Sequence, residues 1–172
     1  MPLTLLLGGA RSGKSSLAVR RAQASGRAVV FVATGEAGDE EMAVRIARHR
    51  AERPADWSTV EVPVALEDAL ADVHGEACVV VDCLSLWVAN QMGRGDGEEA
   101  VVAAAQRVAS ACAARGAPTL AVSNEVGMGI VPDTPLGRAY RDLLGRVNAV
   151  WAARADEALL VVAGRALALD AL

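Results

Sequence analysis

The stretch Gly8-Gly9-Ala10-Arg11-Ser12-Gly13-Lys14-Ser15 constrains this chain more than any other. It fits the pattern G-x-x-x-x-G-K-[ST], with an apolar run, "LTLLL" (3–7), before it and a helical pattern after it. Glycines let the backbone turn so that successive N–H groups point inward at phosphate oxygens. The helix opening at Gly13 adds its dipole and its unpaired N–H groups. In such a loop Lys14 reaches the β- and γ-phosphates, and the Ser15 hydroxyl is placed to ligate Mg²⁺. Lys14 is also the one lysine among 17 Lys and Arg residues. Arginine and lysine are nearly exchangeable on a surface. Inside a tight phosphate loop the compact ammonium fits where a planar guanidinium is too broad.

The rest of the chain supplies the scaffold that this loop needs. Near-continuous apolar runs recur at 28–33 ("AVVFVA"), 77–82 ("ACVVVD"), 119–123 ("TLAVS") and 158–162 ("ALLVV"), as strands buried on both faces of a parallel sheet do. Helical patterns lie between them. Leu136, Tyr140, Leu143, Val147, Val150 and Trp151 form one stripe over 136–154, and the Ala-rich segment 98–115 ends at Gly116-Ala117-Pro118. "GRGDGEE" (93–99) reads as an exposed loop, and "AGRALAL" as a turn followed by a short antiparallel edge strand. Alternating strands and helices predict an α/β fold with a mostly parallel sheet. Without a repeat or a linker, residues 1–172 read as a single nucleotide-binding and transferase domain.

Composition narrows the class. A chain of 172 residues that is 53% hydrophobic and 22% charged buries a sizeable core and is not disordered. Its apolar runs are interrupted before membrane-spanning length, so no membrane insertion is expected. "MPLTLLLGG" lacks a basic leader and runs directly into the phosphate loop, which argues against a signal peptide. A net charge of −4 argues against nucleic-acid binding. Cys78, Cys83 and Cys112 lack metal-ligand spacing and read as reduced thiols of a cytoplasmic protein.

Two further residues carry chemistry. Asp82 ends "VVVDC" and puts a carboxylate at the tip of a buried strand beside the loop, where it either holds Mg²⁺ or caps the strand end. In "DEEMAVRIARHRAERPADWSTVE" (39–61), Asp39 caps a helix over about 40–52 that Pro54 ends. Met42, Ile46 and His49 then share one face. His49 is thus either a half-buried histidine bonded to a carbonyl or a nucleophile that attacks an α-phosphate and carries the nucleotidyl group. Arg45, Arg48, Arg50 and Arg53 lie around it, as triphosphate ligands or as a solvated face.

"GGARSGKS", "RIARHRAERPADWSTVE", "VDCLSLWVAN" and "VSNEVGMGIVPDTPLGRAYRDLLGRVN" together resemble the bifunctional adenosylcobinamide kinase/adenosylcobinamide-phosphate guanylyltransferase family of cobalamin biosynthesis, in the family's order across essentially the whole chain. The resemblance implies a RecA-like P-loop NTPase fold and two reactions. The aminopropanol hydroxyl of adenosylcobinamide is phosphorylated; GMP then passes from GTP to that phosphate through a guanylylated histidine, giving adenosylcobinamide-GDP. The family's catalytic histidine falls on His49, with Lys14 beside it. Its nucleotide contacts fall on Gly8, Gly9, Ala10, Arg11, Ser12, Gly13, Lys14 and Ser15; on Ala33, Thr34 and Gly35; on Arg50, Ala51, Glu52 and Arg53; and on Glu61 and Asp82. Mg²⁺ would accompany GTP or ATP, held by Ser15 and Asp82, and the family pattern implies a homotrimer. A carboxylate at Glu61 suits the N1–H and N2–H donors of guanine, although an exposed strand residue is the plain alternative.

Two rival readings are a single-step kinase of another small hydroxyl compound, with His49 structural, and a RecA-like nucleotide-binding switch subunit. A covalent label from α-labelled GTP separates the first, and nucleotide-driven assembly without transfer separates the second. Asn124 and Glu125 follow a buried strand at the ligand-binding edge. Glu125 either orients a substrate hydroxyl or ties down the Gly-rich loop. His74 reads as a helix-end residue, and Trp57, Trp87 and Trp151 as core or contact residues.

Overall fold

A computed structural model describes residues 3–51 and 53–171, with the side chains of Met42 and Arg45 outside the described set. In chain order the elements are β1 (Leu3–Gly8), α1 (Lys14–Ala24), β2 (Val29–Ala33), α2 (Glu40–Ala51), β3 (Ser58–Glu61), α3 (Leu66–Ala71) and β4 (Cys78–Asp82). They continue as α4 (Leu84–Gly93), α5 (Glu98–Ala113), β5 (Thr119–Asn124), α6 (Pro135–Ala152), β6 (Glu157–Val162) and β7 (Arg165–Leu169). Every strand expected from an apolar run is present, and the tail forms the expected antiparallel pair with β6. Expectation and structure differ at α5, which ends at Ala113, and at α4, which no stripe marked; β3 and α3 are implied only by the readings of Glu61 as a strand residue and of His74 as a helix-end residue. All four residues of β3 are exposed, so it carries no apolar signal, and only its ladder to β2 makes it a strand.

Among the described residues the strands form one sheet in the order β3-β2-β4-β5-β1-β6-β7, parallel except for β7. Its two faces bury different clusters, because successive side chains alternate across a strand. Leu3, Leu5 and Leu7 of β1 face α3 to α6, where Trp87 and Trp151 are almost wholly buried. Leu6 faces the other way, with Val80, Val122, Phe31 and the small Ala18 and Ala22 that let α1 lie close to the sheet. All three cysteines are buried and unpaired by disulfide. No described helix is long and apolar enough to cross a membrane.

The parallel register has one functional consequence. Gly8 pairs with Asn124, Ala33 pairs with both Asp82 and Glu61, and Asp82 also pairs with Val122. The C-terminal ends of five strands therefore reach one edge together. That edge is where open α/β sheets bind ligands.

Candidate functional site

The phosphate loop is shaped by contacts that only small residues allow. A Cβ on Gly8 would meet the Val161 carbonyl oxygen at 2.4 Å and the Ser12 hydroxyl at 2.7 Å, so the loop packs down where no other residue fits. Gly13, at φ 100°, turns the chain into α1. The loop is braced from outside: Gly164 N–H donates to the Ser12 carbonyl at 2.8 Å, and Glu125 N–H to the Gly8 carbonyl at 3.1 Å. Lys14, only 8% exposed, folds its ammonium back onto the Gly9 carbonyl at 2.9 Å. The Ser12 hydroxyl is buried without a hydrogen-bond partner.

Asp82 stands beside this loop. Burial pushes its carboxyl above the usual carboxylate range, while a hydrogen bond from Ser15 and the charges of His49, Lys14 and Arg53 act the other way. Ser15 and Asp82 together offer two hard oxygen donors, which suits Mg²⁺ completed by phosphate oxygens and water. No described cluster of three or more His, Cys, Asp or Glu residues forms a self-sufficient metal cage.

The segment after β2 is fastened to the segment after β4. The Thr34 hydroxyl accepts from Cys83 N–H at 2.8 Å and donates to the Cys83 carbonyl at 2.7 Å. The amide of Asn90, on α4, then donates to the Thr34 carbonyl at 2.8 Å and to the Pro63 carbonyl at 3.0 Å. Cys83 lines the cleft too, but its thiol is pushed up to about 11 by burial and then by Asp82, and it lies 2.9 Å from the Ser85 hydroxyl. It therefore stays a protonated thiol at neutral pH and a poor nucleophile.

Helix α2 supplies the opposite wall. Among its described side chains most are exposed, and Ile46 and His49 are the half-buried ones. Ile46 touches the region of Gly35, where a Cβ would meet it at 3.4 Å. Arg50 forms an ion pair with Glu61. Arg53 lies over the Phe31 ring, with its Nε buried and unpartnered. Burial lowers the Arg53 pKa, the Asp82 carboxylate raises it, and the Arg50 charge lowers it.

These walls enclose a cleft of about 140 Å³ lined by Lys14, Ser15, Gly35, His49, Arg53, Glu61 and Asp82, among others. It adjoins a wider chamber of about 440 Å³ between Ala10–Ser16 and the Glu41, Val44, Arg48 and His49 side of α2. A third recess again joins His49 to Ser15, Arg53 and Asp82. The structure thus gathers Ala10, Arg11, Ser12, Gly13, Lys14, Ser15, Ala33, Gly35, His49, Arg53, Glu61 and Asp82 around two cavities that share Lys14, Ser15 and His49. Gly8 and Gly9 shape the loop itself. Thr34 is fully buried, with its hydroxyl committed to Cys83. Arg50 reaches the cleft through Glu61, Ala51 is an exposed residue ending α2, and Glu52 lies outside the described residues.

Glu125 ties down its own loop, accepting from Gly127 N–H. His74 accepts from Glu76 N–H at 3.3 Å in a turn after α3. The residues that sequence reasoning missed are Leu86, which joins Ile46 as an apolar wall, Asn90 as the staple, and Phe31 with Trp57 as the bed for Arg53. A polar Asn closing the mainly apolar "LSLWVAN" was the available signal for Asn90.

Comparison with known proteins is consistent across the chain. A family model described as cobinamide kinase / cobinamide phosphate guanyltransferase matches residues 4–169. The bifunctional adenosylcobalamin biosynthesis protein CobP of Pseudomonas aeruginosa is 43% identical over 166 residues, covering 93% of this chain and 92% of that protein. The bifunctional adenosylcobalamin biosynthesis protein CobU of Escherichia coli K12 is 39% identical over 178 residues, covering 94% and 96%. Among solved structures, the RadB recombinase superposes with a TM-score of 0.53 at 18% identity over 92% of this chain and 73% of that one. The assembled type III secretion ATPase EscN of enteropathogenic E. coli gives 0.56 at 11% identity over 94% and 43%. At that identity the two structures speak for the fold alone, a RecA-like P-loop architecture.

Proposed function

This chain belongs to the cobinamide kinase / cobinamide phosphate guanyltransferase family, and from that premise we propose how a single cleft carries both reactions. The family's enzymes are bifunctional, a kinase and a guanylyltransferase of adenosylcobalamin biosynthesis. The observation that carries our reading is that His49 shares the walls of the cleft and of the adjoining chamber with Lys14 and Ser15.

In the kinase step the loop and Lys14 hold the triphosphate of GTP or ATP. The aminopropanol hydroxyl of adenosylcobinamide attacks the γ-phosphorus in line with the departing β-phosphate oxygen. Catalysis is positioning and charge neutralisation. Ser15 and Asp82 are the residues that would hold Mg²⁺, which when bound neutralises charge on the phosphate oxygens. In the transferase step the neutral imidazole of His49 attacks the α-phosphorus of GTP, pyrophosphate leaves, and cobinamide phosphate takes the GMP to give adenosylcobinamide-GDP. Glu61 accepts from guanine N1–H and N2–H, which adenine cannot offer together. Arg53 and Arg50 supply positive charge at the same wall. We further propose one domain spanning the chain, assembled as a homotrimer in the cytoplasm.

Incubation with α-labelled GTP tests this reading. An acid-labile, alkali-stable protein label is expected, absent from His49→Ala, while that variant still phosphorylates adenosylcobinamide. No label on the wild-type protein, with kinase activity intact, would reduce the chain to a simple kinase.

A further inference from the structure

The geometry points to a second task for the phosphate loop: we propose that it seats the phosphate of the acceptor, cobinamide phosphate, in the place that the β-phosphate of GTP has just left. The inference rests on His49 as the guanylyl carrier.

The argument is stereochemical. His49 approaches from α2, and the loop with Lys14 and Ser15 faces it across the same two chambers. Displacement at phosphorus is in line, with the entering and leaving atoms on opposite sides. As an imidazole nitrogen bonds to the α-phosphorus from the α2 side, the bond to the β-phosphate oxygen breaks on the loop side, and pyrophosphate departs with the electron pair. The other ring nitrogen keeps its proton.

The second displacement obeys the same rule. An oxygen of the acceptor phosphate must enter opposite the phosphorus–nitrogen bond, which is the loop side again. As the new oxygen–phosphorus bond forms, the bonding pair returns to the ring nitrogen and neutral His49 is restored. No net proton transfer is needed in either direction.

The loop is chemically suited to this second guest. A phosphate monoester presents the same terminal oxygens as a β-phosphate to the inward N–H groups and to the Lys14 ammonium. Pyrophosphate and acceptor are then mutually exclusive, and excess acceptor competes with GTP for the unmodified enzyme.

A single-turnover partition experiment decides it. Wild-type protein is labelled with α-labelled GTP, freed of nucleotide and pyrophosphate by gel filtration, and chased with fixed pyrophosphate and rising adenosylcobinamide phosphate. With one seat, each tenfold increase in acceptor lowers the ratio of labelled GTP to labelled adenosylcobinamide-GDP about tenfold, with no floor, as mass action on one site requires. A ratio that levels off as the acceptor saturates shows both guests bound together and overturns the proposal while leaving the guanylyl-histidine intact. Failure to obtain labelled protein removes the histidine reading, and this proposal with it.

Discussion

The guanidinium carbon of Arg53 lies 3.7 Å from the centroid of the Phe31 ring, and Phe31 stacks in turn on Trp57 with centroids 6.4 Å apart. A buried guanidinium without a full set of partners is costly, and the ring face offsets part of that cost. The stack therefore aims a cation at the cleft without neutralising it, as an ion pair would.

Replacing Phe31 by Leu keeps an apolar side chain and removes the ring face. A cation–π contact of about 0.5–2 kcal/mol corresponds to a rise in KM for GTP of roughly 2- to 30-fold. Arg53→Lys should cause a similar rise, because an ammonium cannot lie flat on the ring. A double-mutant cycle on KM checks the coupling. Additive effects would show that the two residues act separately.

Glu61→Gln replaces one carboxylate acceptor oxygen by a donor that opposes guanine. It also breaks the ion pair with Arg50. A charge-assisted hydrogen bond is worth about 1.5–3 kcal/mol, so the preference for GTP over ITP, which lacks the 2-amino group, should shrink by about tenfold or more. The ratio of kcat/KM values for the two nucleotides in the labelling reaction measures it.

Asp82→Asn should stabilise the unliganded protein while lowering both activities by a hundredfold or more. Burial raises the carboxyl's pKa in the fold, so the folded state binds this proton more tightly than the unfolded chain. The stability contribution is then greatest in acid and declines as pH rises from the ordinary carboxylate range through the raised value. Thermal unfolding of both proteins across that window checks the sign: the Tm advantage of Asp82→Asn should grow with pH and then level off.

Asn90→Leu leaves the Thr34 and Pro63 carbonyls without their amide donor. An orphaned buried acceptor costs about 1–3 kcal/mol, and urea unfolding should show a loss of that size. Loosening the Thr34–Gly35 segment against the Pro63 segment should also raise KM for GTP more than it lowers kcat for the kinase step.

What the sequence alone determined about this protein is the local chemistry. The phosphate loop was legible because its residues are contiguous: a strand, a turn and a helix are specified within Leu3–Ala24, and Gly8 and Gly13 are demanded by backbone geometry at their own positions. The buried strands were legible from apolar runs, which tertiary packing only had to accept. His49 was ambiguous, because spacing along α2 shows a shared face but not what that face meets. Only the tertiary structure decided that it meets the loop, since β2 and β1 are separated in the sheet by β4 and β5. The same holds for Arg53 on Phe31, for Glu61 at the tip of a strand with no apolar signal, and for Asn90 joining two segments far from it in sequence. Such pairings arise from parallel register and burial, which depend on residues distant in the chain, so no local pattern can record them.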